Sequence, residues 1–376
     1  MEITTPYYIV YEERIRRNLD LITDVARRAG VEIIMAFKAN ALWRTFGVLR
    51  EYGIASTASS VNEMLLGNDY LGRKVHTYCP VYTPETIAQF IDGSSHIVFN
   101  SLAQYERYHS LIAASGHDIS CGLRINPKLS LTTPAQYDPC APGSRFGVAA
   151  ADLPDELPEG IEGFHFHDLC ESMPAQLEQL LDKVEADFGK YLDRLKWINM
   201  GGGHLMTHRD YNCEKLITLL QEFKRRHPGL HVVLEPGSAF MWQTGDLIVS
   251  VLDVVESDGI ATAIIDASFA CHMPDCLEMP YKPAIEEALP EVQPGMPTYR
   301  LGGNSCLSGD FVGDWSFEQP LHAGQRLTLQ DMNHYTTVKT TMFNGIQHPD
   351  IWYRHLDGTM ELLRHFTYED YRDRMS

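Results

Sequence analysis

The run IIMAFKANAL, residues 33–42, is apolar enough for a buried strand, yet Lys38 stands inside it. A lysine is rarely buried without a partner. Desolvation lowers its pKa and turns the amine into a usable nucleophile. The run alone leaves two readings open: a lysine that forms a Schiff base, or a structural lysine paired with a carboxylate. Other residues with chemistry to offer recur further along. Arg124 lies in LRINP, His167 in HFHDLCES, Gly201, Gly202 and Gly203 in GGGH, and Glu235 in LEPG. A glycine triplet lets the backbone approach an anion and turn several N–H groups towards it. Followed by a helix, it is a candidate phosphate site.

Each of these residues falls where a short β-rich run gives out. Eight such runs recur, at 32–38, 53–58, 74–80, 96–100, 119–125, 163–167, 197–200 and 231–236. Between them lie amphipathic patterns. Ile15, Leu19, Ile22, Ala26 and Ala29 recur at helical spacing, as do Leu177, Leu181, Val184, Phe188 and Tyr191. Eight alternating units over about 230 residues predict an α/β fold, a (β/α)8 TIM-type barrel. The structural rival is an open, doubly wound sheet, but the tail does not continue the alternation. Barrel enzymes build their sites at the C-terminal strand ends, so the five positions converge on one pocket. After Met241, strand signals take over. LIVSVLDVV and IATAIIDAS flank ESDG, an Asp-Gly hairpin signature. QRLTLQDM and the Thr-rich YTTVKTT also read as strands. The expected organisation is a barrel over 11–243 and a mostly β domain over 244–376, joined by residues 1–10.

At 376 residues two domains are the natural expectation, and 44% hydrophobic with 22% charged residues describes an ordinary globular protein. The formal charge of −19 repels nucleic acid and anionic membranes and favours a cationic ligand. The eight cysteines show no paired CxxC spacing, and MEITTPYYIVYEERIRR carries no apolar signal segment. No run approaches the roughly 20 apolar residues that cross a bilayer. A reducing cytoplasm, free thiols and no metal are expected. The rival is a metal-dependent barrel hydrolase, using His165 with His167 or His204 with His208. Such barrels carry their HxH on the first strand and the lysine later, the reverse of the order here.

An imine-forming lysine, a phosphate cradle, a carboxylate and a histidine together meet the needs of pyridoxal 5′-phosphate. At this point a resemblance enters. AFKAN, SRFG (144–147), HFHDLC, NMGGG, EPGSA and GGNSCLSGD resemble the fold-type III pyridoxal-phosphate decarboxylases, which include ornithine, arginine and diaminopimelate decarboxylases. FHFHDLCE, NMGGGH, CHMPDCLEMPYKP and NHYTTVKTTMFNGI are most similar to the branch acting on carboxylated polyamines. The resemblance covers nearly the whole chain. It implies a barrel plus a β-domain, pyridoxal phosphate as cofactor, and a decarboxylase of norspermidine or spermidine biosynthesis. Diaminopimelate or another basic amino acid is the alternative substrate. A non-catalytic pyridoxal-phosphate carrier is the alternative of another class, but such carriers resemble the barrel alone.

Carried over by motif, the resemblance makes Lys38 the Schiff-base lysine. His167 stacks on the cofactor ring, Glu235 pairs with its nitrogen, and Arg124 lies near the ring's edge. Cys170, Gly201, Gly202, Gly203, Gly237 and Tyr335 hold the phosphate. Cys306 protonates the carbon that has lost CO2. In relatives that cysteine comes from a partner subunit, which implies a homodimer with shared sites. Diaminopimelate decarboxylases carry a carboxylate-binding arginine in the stretch matching CHMPDCLEMPYKP, where this chain has Glu278. That exchange inverts the preferred ligand charge. Glu235, His272, Asp275, Glu278 and Asp310 are therefore the expected contacts for a carboxylated polyamine.

Overall fold

A computed structural model describes residues 3–132 and 135–376. The chain divides into two units, Arg17–Phe240 and a second made of Met1–Arg16 with Met241–Ser376.

The first unit is a parallel barrel. Its strands are β2 (Glu32–Ile33), β3 (Met35–Ala36), β4 (Ser56–Ala58), β5 (Val75–Tyr78), β6 (Ser94–Phe99), β7 (Ser120–Arg124), β8 (Ile161–His165), β9 (Trp197–Asn199) and β10 (His231–Leu234). They pair in the order β2-β10-β9-β8-β7-β6-β5-β4-β3. The two ends of that order, β2 and β3, are consecutive in the chain and separated by Ile34 alone. Ile34 N–H donates to Leu234 O and Met35 N–H to Ala55 O, both at 2.9 Å. Nine short strands among the described residues thus fill eight barrel positions, the first divided where one run faces a neighbour on each side. Several connecting helices begin with a side-chain cap: Ser60, Ser101 and Asn212 each accept from the backbone N–H three residues on. Each such cap contributes about 1 kcal/mol.

The period of two along a strand sorts the barrel's faces. Phe164 on β8 turns outward against Phe188 and Tyr191 of the helix Pro174–Leu192. Trp197 turns the other way and lies over Gly163 and Gly122. A Cβ on Gly163 would fall 2.0 Å from the indole, and one on Gly122 2.2 Å from it. Only glycine admits that ring. Trp197 Nε1–H donates to Ser120 Oγ at 2.7 Å, and His96, tilted against His76, meets the indole edge-on. Two residues further along the same face come Arg124, His165 and Asn199. The packing that fills the barrel therefore delivers its polar residues to the C-terminal mouth.

The second unit is a mixed sheet of β1 (Tyr7–Tyr11), β11 (Gly245–Ser257), β12 (Ile260–Ile265), β13 (Thr298–Gly302), β14 (Phe311–Ser316), β15 (Arg326–Leu329), β16 (Asp350–Arg354) and β17 (Met360–Arg364). The order is β14-β13-β12-β11-β1-β16-β17, with β15 also on β11. Asp258 and Gly259 take φ of 53° and 77°, the left-handed pair that a tight β11–β12 hairpin demands. Leu247, Val249, Val251, Ile265, Leu301 and Leu327 centre its core. The YTTVKTT strand is absent. Thr336 Oγ1 donates to Met332 O at 2.6 Å, Lys339 N–H to Tyr335 O, and Tyr335 has φ 59°. Threonine hydroxyls bonding their own backbone, with a left-handed residue before them, favour turns over a ladder. Among the described residues no helix is long and apolar enough to cross a membrane.

Burial pushes His76 and His272 down to about 3 and His204 to about 4. At pH 7 these rings are neutral folded or unfolded. Below about 6.5 the unfolded chain takes up protons that the native state refuses. Stability is therefore lost as pH falls from about 6.5 towards those folded values. Asp168, raised by burial to about 6, acts in the opposite direction, as do Glu63 and Asp266, which burial also raises. Urea unfolding at pH 7 and pH 5 should show a loss of up to about 2 kcal/mol per ring. Equal stability at the two pH values would refute the assignment.

Candidate active site

At the barrel mouth lies a cavity of about 300 Å³, lined by Lys38, Tyr78, Arg124, His165, His167 and Glu235 among others. That volume is at the small end of ordinary ligand pockets. Each polar residue is delivered by a strand end, and each is oriented by its neighbours.

Lys38 follows β3. Its surface is exposed to the cavity, while protein crowds the amine from the remaining sides. Crowding lowers its pKa; the Glu235 charge opposes the shift and Arg124 adds to it. Lys38 Nζ lies 3.1 Å from His167 Nε2. The other ring nitrogen settles the direction of that bond. Gly202 N–H donates to His167 Nδ1 at 2.9 Å, so Nδ1 is the acceptor and the ring proton resides on Nε2. Nε2–H then donates to Lys38, which must offer a lone pair. Burial, with the Arg124 charge, holds His167 well below its ordinary pKa, consistent with a neutral ring. A glycine amide thus selects the nucleophilic form of the lysine through one imidazole.

Glu235 follows β10. Its Oε1 accepts from His165 Nε2–H and its Oε2 from Asn199 Nδ2, each at 2.9 Å. Asn199 cannot flip, because its Oδ1 accepts from Gly201 N–H at 2.9 Å. Burial pushes the carboxyl up, but the hydrogen bond from His165 helps to hold it well below the usual carboxylate range. Burial keeps His165 itself low, so the pair is a neutral imidazole donating to an anion. The amino-acid sequence suggested His165 only as a metal ligand in the rival hydrolase reading, and Asn199 not at all. The HxH alternation, which places His165 on one face with His167, was the available signal.

Arg124 is 3% exposed, its guanidinium held between the rings of Tyr78 and Phe146 at 4.6 and 4.5 Å. Its Nη2–H donates to His167 O at 3.0 Å, and its Nε–H is buried without an acceptor. The glycine triplet does not run into a helix: an irregular stretch precedes the helix Cys213–Arg226. Asn199 and His167 already engage two of its amides, leaving that of Gly203. Gly237 sits so close to the lysine turn that a Cβ would meet Ala39 Cβ at 2.4 Å. Cys170 is partly buried on the same barrel unit.

The remaining candidates belong to the second unit. Tyr335 lies in the turn after Met332. Lys339 Nζ donates to Asp275 Oδ1 at 2.7 Å and also to Glu278 Oε2. His272 is fully buried, and its Nδ1 accepts from Ser268 N–H. Asp310 is 4% exposed, its carboxylate accepting from Ala270 N–H and from the Ser305 hydroxyl. Cys306 is exposed.

The barrel residues fit pyridoxal phosphate. A neutral amine, a neutral imidazole and a fixed anion line one pocket, and close packing leaves no room for side chains on the glycine loops. Among the described residues no group of three or more His, Cys, Asp or Glu is placed to hold a metal ion.

Residues 9–333 match the family model for the pyridoxal-dependent decarboxylase, C-terminal sheet domain. The chain is 45% identical to a carboxyaminopropylagmatine decarboxylase of Synechocystis, over 99% of this chain and 96% of that protein. It is 36% identical to a carboxynorspermidine/carboxyspermidine decarboxylase of Campylobacter jejuni, over 98% of both. The crystal structure of carboxynorspermidine decarboxylase complexed with norspermidine, also from Campylobacter jejuni, superposes with a TM-score of 0.91 at 36% identity. It covers 99% of this chain and 100% of that one.

Proposed function

Because this chain belongs to the pyridoxal-dependent decarboxylase family, we propose that it decarboxylates a carboxylated polyamine, carboxynorspermidine or carboxyspermidine, yielding norspermidine or spermidine. The observation that carries the chemistry is the Lys38 amine, held unprotonated by His167, in one pocket with the hydrogen-bonded Glu235 carboxylate. Full-length similarity to enzymes of that name carries the substrate class.

Lys38 is the attachment point for pyridoxal phosphate, whose ring, when bound, accepts the electron pair left by departing CO2. His167 would hold that ring by its face and, with its tautomer set by Gly202, keeps Lys38 unprotonated and ready to attack. Glu235, oriented by His165 and Asn199, holds the proton on the ring nitrogen. Arg124, on the wall of the same cavity, would border the ring, and Gly203, Gly237, Cys170 and Tyr335 would hold the phosphate. Cys306 returns a proton to the substrate carbon. In this reading the protein is a cytoplasmic homodimer in which the thiol crosses to the neighbouring subunit.

His272 and Asp310 are held inside their own unit, which leaves Asp275 and Glu278 for the polyamine tail. Both already bind the Lys339 ammonium, so a cationic tail reaching them competes with it.

A second substrate has its own support. The relative at 45% identity acts, by its name, on carboxyaminopropylagmatine, whose tail ends in a guanidinium. Paired carboxylates suit a planar fork as well as an ammonium. CO2 release from the holoenzyme should be compared on carboxynorspermidine, carboxyspermidine, carboxyaminopropylagmatine, diaminopimelate and ornithine. A carboxylated polyamine is expected to lead diaminopimelate by about 100-fold or more in kcat/KM, while the two differing by one methylene separate by about 10–200-fold at most. Equal turnover of diaminopimelate would overturn the assignment.

A further inference from the structure

The loop carrying Cys306 connects β13 to β14, and its hydrogen bonds are unusually complete for an exposed turn. Cys306 N–H donates to Asn344 Oδ1 at 2.8 Å. Asn344 stands at φ 58°, a conformation that asparagine tolerates better than most residues. Beneath the loop, Asp310 Oδ1 accepts from Ala270 N–H at 2.9 Å. Its Oδ2 accepts from the Ser305 hydroxyl at 2.6 Å and from Ser305 N–H at 3.2 Å. Ser305 Oγ in turn accepts from Leu307 N–H at 3.3 Å. Asp310 N–H donates to Leu307 O, and Gly303 N–H to Asp310 O.

The amides of residues 305, 306 and 307 are therefore all tied, while the thiol stays outside. Burying a carboxylate costs several kcal/mol unless its lone pairs are satisfied. Here all three of its donors lie on or under one turn. A turn that served only to connect two strands would need no such anchor.

We infer that Asp310 and Asn344 are positioning residues that fix the backbone of Cys306, so that its thiol delivers a proton to one face of the substrate carbon. The inference rests on the reading of Cys306 as proton donor. In that transfer the S–H bond breaks and a C–H bond forms with the electron pair of the carbon that lost CO2. The thiolate left behind regains its proton from solvent.

A fixed donor has a stereochemical signature. Turnover in heavy water places one deuterium on the new CHD carbon, in one configuration if the thiol approaches from one side. Asn344→Gly keeps the left-handed backbone and removes only the acceptor for Cys306 N–H. It is expected to speed hydrogen exchange of the 303–310 peptide about tenfold. It should also turn the single configuration into a mixture, with kcat lowered and KM unchanged within about twofold. Asn344→Asp, which restores an acceptor at the same φ, should restore both. Faster exchange with one configuration retained would overturn the positioning role. Cys306→Ala with the native rate and configuration would instead remove the proton-donor reading beneath it.

Discussion

Replacing Lys38 with alanine is expected to lower kcat by about 1,000-fold or more, equivalent to over 4 kcal/mol of transition-state stabilisation. It should also abolish covalent attachment of pyridoxal phosphate. Borohydride reduction followed by peptide mass analysis should find the cofactor on the peptide containing Lys38 in the native protein, and nowhere in the variant. The effect is large because no other amine lines the described pocket: the groups around Lys38 are the Arg124 guanidinium, two neutral imidazoles and a carboxylate. Arginine cannot substitute, since it stays protonated and offers no lone pair. The fold should tolerate the change, because Lys38 borders open space and removing it leaves His167 Nε2–H facing the cavity. Native turnover by Lys38→Ala, or a label on another lysine, would refute the assignment.

Glu235→Gln is expected to lower kcat by about 100- to 1,000-fold with little loss of stability. The shapes match and the hydrogen bonds can be remade. Asn199 Nδ2 continues to donate to the remaining carbonyl oxygen. His165 shifts its proton to Nδ1, which has no partner in the structure, and accepts the new amide at Nε2. What is lost is the negative charge, and with it the group that keeps the cofactor's ring nitrogen protonated. The same substitution removes the charge that raises the pKa of Lys38, so the free lysine should titrate still lower. Reaction of Lys38 with an amine reagent across pH, in protein freed of cofactor, reads that second effect directly. Unchanged turnover together with an unchanged lysine titration would show that the carboxylate is electrostatically idle.

Much of the architecture is legible in the amino-acid sequence. The eight barrel positions, the flanking helices and the Asp-Gly hairpin all follow from local periodicity and turn chemistry. Lys38, Arg124, His167 and Glu235 were visible for a related reason, because each is a polar residue closing an apolar run. The YTTVKTT stretch misled, since β-branched composition is shared by strands and by turns in which threonine hydroxyls bond their own backbone. The first barrel strand is one apolar run in sequence and two ladders in space, divided at Ile34.

The sequence by itself determined which residue types stand at the strand ends, because hydrophobic period and chain punctuation act over a few residues. Only the tertiary structure decided how they are wired. His165 and Asn199 reach Glu235 from 70 and 36 positions away, and Lys339 reaches Asp275 across 64. The proton on His167 is placed by an amide 35 residues downstream. Hydrogen bonds and charges act at about 3 to 6 Å in space. The protonation state of a nucleophile, and whether an acid is available to a ligand, therefore depend on the neighbours that folding supplies.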